Sequence, residues 1–105
     1  MLIKVDGNFI KGARITGPTH HFAAVEFTNS PADCKFKFMG DKSLVPDGNL
    51  LNSVIEALNL IEPMSPVNGS MYISSIYIDK NDMPDVMAYR EIFQSIFLEA
   101  EKHLR

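Results

Sequence analysis

The densest group of chemically useful side chains in this 105-residue chain is Asp79–Asp85, "DKNDMPD", directly after the apolar run "MYISSIYI". Three carboxylates and an asparagine within seven residues suggest calcium, acid–base chemistry, a helix start or a surface for a basic partner. A calcium loop begun at Asp79 fails on its own residues. Met83 stands at a ligand position and offers no oxygen, Pro84 replaces the turn glycine, and Arg90 replaces the closing glutamate. A helix start fits better. Asp82 precedes Met83-Pro84, and proline is favoured in a first turn, where its missing N–H costs nothing. Asp85 then lies near the positive end of the helix dipole. Capping leaves Asp79 and Glu91 without a task.

The remaining candidates are His20, His21 and Cys34. Adjacent residues on a strand point to opposite faces, so His20 and His21 cannot chelate one ion together. A zinc site would need further ligands from Cys34, His103 or a carboxylate, and no zinc-type spacing joins them. Cys34 is read as a small buried hydrophobe, although the fold could bring His21 to it as a base. No G-x-S-x-G, phosphate-cradling glycine loop or H-E-x-x-H occurs. No metal and no cofactor are expected.

The elements that must carry these residues follow from periodicity. Strands are predicted over 2–5, 9–16, 20–28 and 34–39, with Gly12 as a bulge and a break at Gly17-Pro18. In "CKFKFM" the alternation turns Phe36 and Phe38 to a core and Lys35 and Lys37 to water. A helix is predicted over 49–61, capped by Asn49, with Leu50, Leu51, Val54, Ala57, Leu58 and Ile61 inward. Pro63 and Pro66 stop it. Residues 70–78 are apolar on both faces and read as an interior strand. The last helix runs from about Pro84, burying Val86, Tyr89, Phe93, Ile96, Phe97, Ala100 and Leu104, with Ile92 on its flank. Met87 and Leu98 fall opposite that stripe, and Ile55 and Leu60 lie off-centre on the first helix. The expected fold is one α+β domain over 1–105, in the order β-β-β-β-α-β-α. It pairs an antiparallel sheet of about five strands with two helices on one face.

Composition narrows the function. The apolar fraction of 46% and charged fraction of 22% are those of a globular domain. A lone cysteine forms no internal disulfide. Charge comes too early for a secretory leader, and no apolar run is long enough to span a membrane, so the expectation is cytoplasmic with no membrane partner. Net charge is −3, divided as +2 over residues 1–42 and −5 over 43–105. An acidic second half argues against nucleic acid and for a basic protein. The rings of "CKFKF" also lie opposite its lysines, unlike an RNA-binding sheet.

Small size, an acidic second half, the "DKNDMPD" segment and out-of-register Met87 together resemble the immunity proteins of bacterial contact-dependent growth inhibition systems. The resemblance implies a protein that neutralises a cognate toxin, often a nuclease, by covering its active site. Asp79, Asp82 and Asp85 would then occupy the toxin's phosphate-binding site. Tyr77, Met87 and Glu91 complete the expected contact surface. Two alternatives stand beside it. One is a small enzyme or ligand-binding domain using His21 and Cys34. The other is an oligomeric subunit that assembles through a sheet edge or through Met87 and Leu98.

Overall fold

The computed structural model describes residues 1–16, 19–61 and 71–103. The elements follow the expected order: β1 (Leu2–Asp6), β2 (Phe9–Thr16), β3 (Thr19–Thr28), β4 (Lys35–Phe38), α1 (Asn49–Leu60), β5 (Tyr72–Ile78) and α2 (Val86–His103). Gly17-Pro18, Pro63, Pro66 and Leu104 lie outside the described residues.

The five strands form one sheet in the order β1-β2-β3-β5-β4. It is mixed, which corrects the expectation of a wholly antiparallel sheet: β4 pairs parallel with β5, and the other three junctions are antiparallel. The cause is topological. The chain leaves β4, crosses through α1 and returns as β5 beside it, and such a crossover brings a strand back in the same direction. β5 is thereby interior, as its two apolar faces require.

Two cross-sheet rows, two residues apart on each strand, supply the strand side of the core. One is Val5, Ile10, Val25, Ile76 and Phe36; the next is Ile3, Gly12, Ala23, Ile78 and Phe38. Val54 and Ala57 of α1 and the stripe from Tyr89 to Ala100 of α2 join the same cluster. Both helices therefore cover one face, and the alternate row, Lys4, Lys11, Ala24, Tyr77 and Lys37, lies on the other.

The second core row is narrow at its centre, and this explains two departures from the sequence reading. Gly12 is not a bulge, since its pairing runs without a shift through Ile3 on one side and Ala23 on the other. It makes room for α2: a Cβ built there would lie 2.9 Å from Ile92 Cγ2 and 3.2 Å from Ile3 Cδ1. Ile92, expected on the flank, is fully buried over this gap. Gly12→Ala should destabilise the fold by about 1–3 kcal/mol through overpacking, read as a lower urea midpoint with an unchanged slope. An unchanged midpoint would mean α2 shifts freely over the sheet.

The register shift falls instead between Glu26 and Phe27, where β3 meets β5. Asn8 tethers the strand there, its carbonyl accepting Phe27 N–H at 2.8 Å and its amide donating to Phe27 O. Gly7 opens the two-residue β1–β2 turn at φ 59, a conformation glycine adopts without steric cost. At α1 the cap is Gly48, not Asn49. Asn49 is already helical, Gly48 O accepts Asn52 N–H at 2.9 Å, and no side chain caps the helix.

Candidate functional site

The segment 79–87 links β5 to α2, and each of its carboxylates has a distinct position. Asp79 organises the turn: its Oδ1 accepts Asn81 N–H at 2.9 Å and its carbonyl accepts Asp82 N–H at 3.0 Å. Asp85 caps α2, with Oδ1 accepting Ala88 N–H at 3.1 Å, which is the bond of an N-cap to the third helical residue. Capping thus falls to Asp85, and the helix begins at Val86, two residues after the expected Pro84.

Asp82 turns inward. The pairing of β3 with β5 ends at Ala23 and Ile78, leaving the next amide, Phe22 N–H, without a ladder partner on β5. Asp82 Oδ2 takes that amide at 3.1 Å and also accepts the Tyr89 hydroxyl at 2.9 Å. Asp82 is only 8% exposed. Desolvation pushes its carboxyl pKa above the ordinary value, outweighing the Phe22 and Tyr89 hydrogen bonds and the nearby His21. Burial, followed by the charge of Asp82, pushes the Tyr89 phenol upward as well, so it stays protonated and donates.

His21 supplies the second anchor. It is buried, packs edge-on against Tyr89 at 5.4 Å, and its Nε2 lies 2.9 Å from Met83 O. A carbonyl only accepts, so Nε2 carries the proton. His20, on the opposite face, is exposed and stands edge-on to Phe22.

These bonds hold the segment from beneath and leave a defined outer surface. Met83 is 66% exposed and Met87 52% exposed. Asp79 and Asp85 each use Oδ1 within the segment. Glu91 lies one turn beyond Met87 and is already paired with Arg14 of β2, at 2.7 Å. Met87, Glu91, Gln94 and Leu98, spaced four, three and four residues apart, form the exposed strip of α2.

Asp79 and Asp85 thus lie in a segment that Asp82 anchors from inside, and Met87 and Glu91 lie one turn apart on the exposed strip of the helix that follows it. Tyr77 belongs to neither. It lies on the open face of the sheet, 8% exposed, with its hydroxyl donating to Glu26 Oε1 at 3.2 Å. Met83 belongs to the surface and was missed. Its position between Asp82 and Pro84, in a segment with no apolar periodicity, was the available sign that it lies outside the core.

Cys34 and His21 do not meet. Lys35, next to Cys34, pairs with Ser75, whereas His21 lies two residues beyond the far pairing of Ala23 with Ile78, so the two occupy opposite ends of the sheet. Cys34 is exposed as a residue, but it also lines an apolar cleft with Phe36, Leu58, Ile61, Ile73 and Phe97. Desolvation there pushes its pKa up to about 11 from 9.0. Alkylation at pH 7.5 should run roughly 100-fold slower than for a free thiol of ordinary pKa, because only the thiolate attacks. Reaction at the free-thiol rate would show that the sulfur is fully solvated. Among the described residues, no three His, Cys, Asp or Glu side chains are grouped to hold a metal ion, and no helix is long and apolar enough to cross a membrane.

In comparisons with known proteins, no family model, no curated protein and no solved structure matches the chain.

Proposed function

We propose that this is a small binding protein of the immunity type, which neutralises a basic, nuclease-type protein by covering its active site. The observation that supports this reading is the pairing of exposed Met83 and Met87 with the carboxylates of Asp79 and Asp85 on a segment anchored from within. A nuclease surrounds its scissile phosphate with Lys, Arg or His, and fixed carboxylates offer those groups an equivalent charge-assisted acceptor. Methionine adds adaptable apolar contact at the same place. The anchors at Asp82 and His21 matter because a surface ordered before binding loses little entropy on binding.

Inhibition would be by occupancy, with no covalent step. The test is a calorimetric titration against a panel of basic nuclease-type toxin domains, any encoded by adjacent genes included, followed by a nuclease assay of each mixture. One-to-one binding with loss of nuclease activity is expected. Full nuclease activity at saturating binding protein would overturn the reading.

A further inference from the structure

The two edges of the sheet are finished differently. At one, the segment after β4 folds back along the strand. Phe38 N–H donates to Ser43 O at 2.8 Å, Val45 N–H donates to Phe36 O at 2.9 Å, and Lys37 stands opposite Leu44. At the other, β1 pairs with β2 alone, and among the described residues no strand or bridge covers its outer side. An open strand edge is a template for pairing with another strand.

The residues of β1 define what can pair there. Its hairpin closes on the two-residue turn Gly7-Asn8, between Asp6 and Phe9. The pair that closes such a turn is hydrogen-bonded, and bonded and non-bonded pairs alternate from there. Leu2, Lys4 and Asp6 therefore direct their N–H and C=O groups to β2, and Ile3 and Val5 direct theirs outward. Ile3 and Val5 also lie on the helix face, half-buried against the core. Lys4 and Asp6 are exposed on the open face, and neither is ion-paired among the described residues. Lys4 instead faces Lys11 across the hairpin, an unfavourable opposition of like charges.

We infer that the outer edge of β1 pairs antiparallel with β1 of a second copy, about a two-fold axis at Val5. Outward groups meet outward groups only when the axis passes through a residue. At Lys4 or Asp6 it sets a charge against its own copy. At Leu2 or Ile3 it carries Asp6 beyond the other strand. At Val5 it sets Lys4 of each copy against Asp6 of the other, in a non-hydrogen-bonded pair, where side chains stand closer. Each such pair is favourable, and it gives Lys4 the opposite charge that Lys11 does not supply. Val5 meets Val5 on the helix face and is covered there. β2 separates this edge from His21 and Phe22, which hold the Asp79–Met87 segment. The inference is therefore independent of the proposed function.

A ladder this short gives a weak dimer, with Kd on the order of 100 µM. The test is sedimentation equilibrium of the whole protein from well below to well above that concentration, with amide exchange alongside. A monomer–dimer equilibrium is expected, with exchange at Ile3 and Val5 slowing as concentration rises. Lys4→Glu and Asp6→Lys each set like charges in both pairs, so each should weaken association by about 10-fold or more. Both substitutions are at exposed positions, and circular dichroism should be unchanged. An equimolar mixture of the two variants restores opposite charges in both pairs and should associate as wild type does. A monomer at all concentrations, or no rescue in the mixture, would overturn the inference. Dimers that persist undiminished in both variants would place the contact elsewhere, for example at Met87 and Leu98, and would overturn it too. So would protection of Ile3 and Val5 only in complex with a basic nuclease-type domain, which would assign the edge to that partner.

Discussion

Asp82→Ala should cost roughly 2–5 kcal/mol of stability, because it strands the Phe22 amide and the buried Tyr89 hydroxyl without an acceptor. At about 4–8 °C per kcal/mol for a domain near this size, the thermal midpoint should fall by about 10 °C or more. Asp82→Asn separates the acceptor from the charge. Oδ2 accepts both bonds, so an amide oxygen in its place can keep both. Its stability at pH 7 should lie within about 1 kcal/mol of wild type. A loss as large as that of the alanine variant would show that the negative charge itself holds the segment.

The pH dependence follows from the direction of the Asp82 shift. Its pKa is raised above the ordinary 3.8, so between that value and the raised one the folded state binds the proton that the unfolded state has released. Its stabilising contribution is complete below 3.8 and is lost as pH rises through the raised value. Acidification through that window should therefore stabilise wild type relative to Asp82→Asn, opposite to the behaviour of an ordinary ion-paired carboxylate.

The Asp79→Asn/Asp85→Asn pair should have the converse effect. Asparagine retains the side-chain oxygen that closes the turn at Asn81 and caps α2 at Ala88, and it caps helices about as well as aspartate. Circular dichroism and thermal midpoint should change little. Affinity for a basic partner should fall by roughly 2–5 kcal/mol for each desolvated charge pair lost, with the change mainly in dissociation rate. Alanine at the same positions would confuse binding with folding, since it removes the turn and the cap together.

Much of the fold was legible because its signals are local. Periodicity in 9–16, 20–28 and 49–61 depends on neighbours along the chain, and all seven elements follow from it. The parallel pairing of β4 with β5 and the role of Gly12 were not legible. One depends on how the chain crosses over through α1. The other depends on Ile92, eighty residues away in sequence, settling onto the sheet. The site divides in the same way. Composition and helical phase pick out Asp79, Asp85, Met87 and Glu91; the first two bond within the 79–87 segment and the last two lie on the exposed strip of α2. Asp82 and Tyr77 looked equivalent to them in sequence, but the Phe22 amide draws Asp82 inward and the pleat of β5 carries Tyr77 to the open face. Arg14, which offsets Glu91, arrives from β2 across a distance that no local pattern reports.

The most direct measurement is amide hydrogen exchange of the protein alone and in complex with the basic nuclease-type domain that it is proposed to bind. New protection concentrated over residues 79–91, with the open sheet face unchanged, is the expected result. Protection confined to the open sheet face or to α1, with 79–91 exchanging as in the free protein, would contradict the assignment of this surface to the partner.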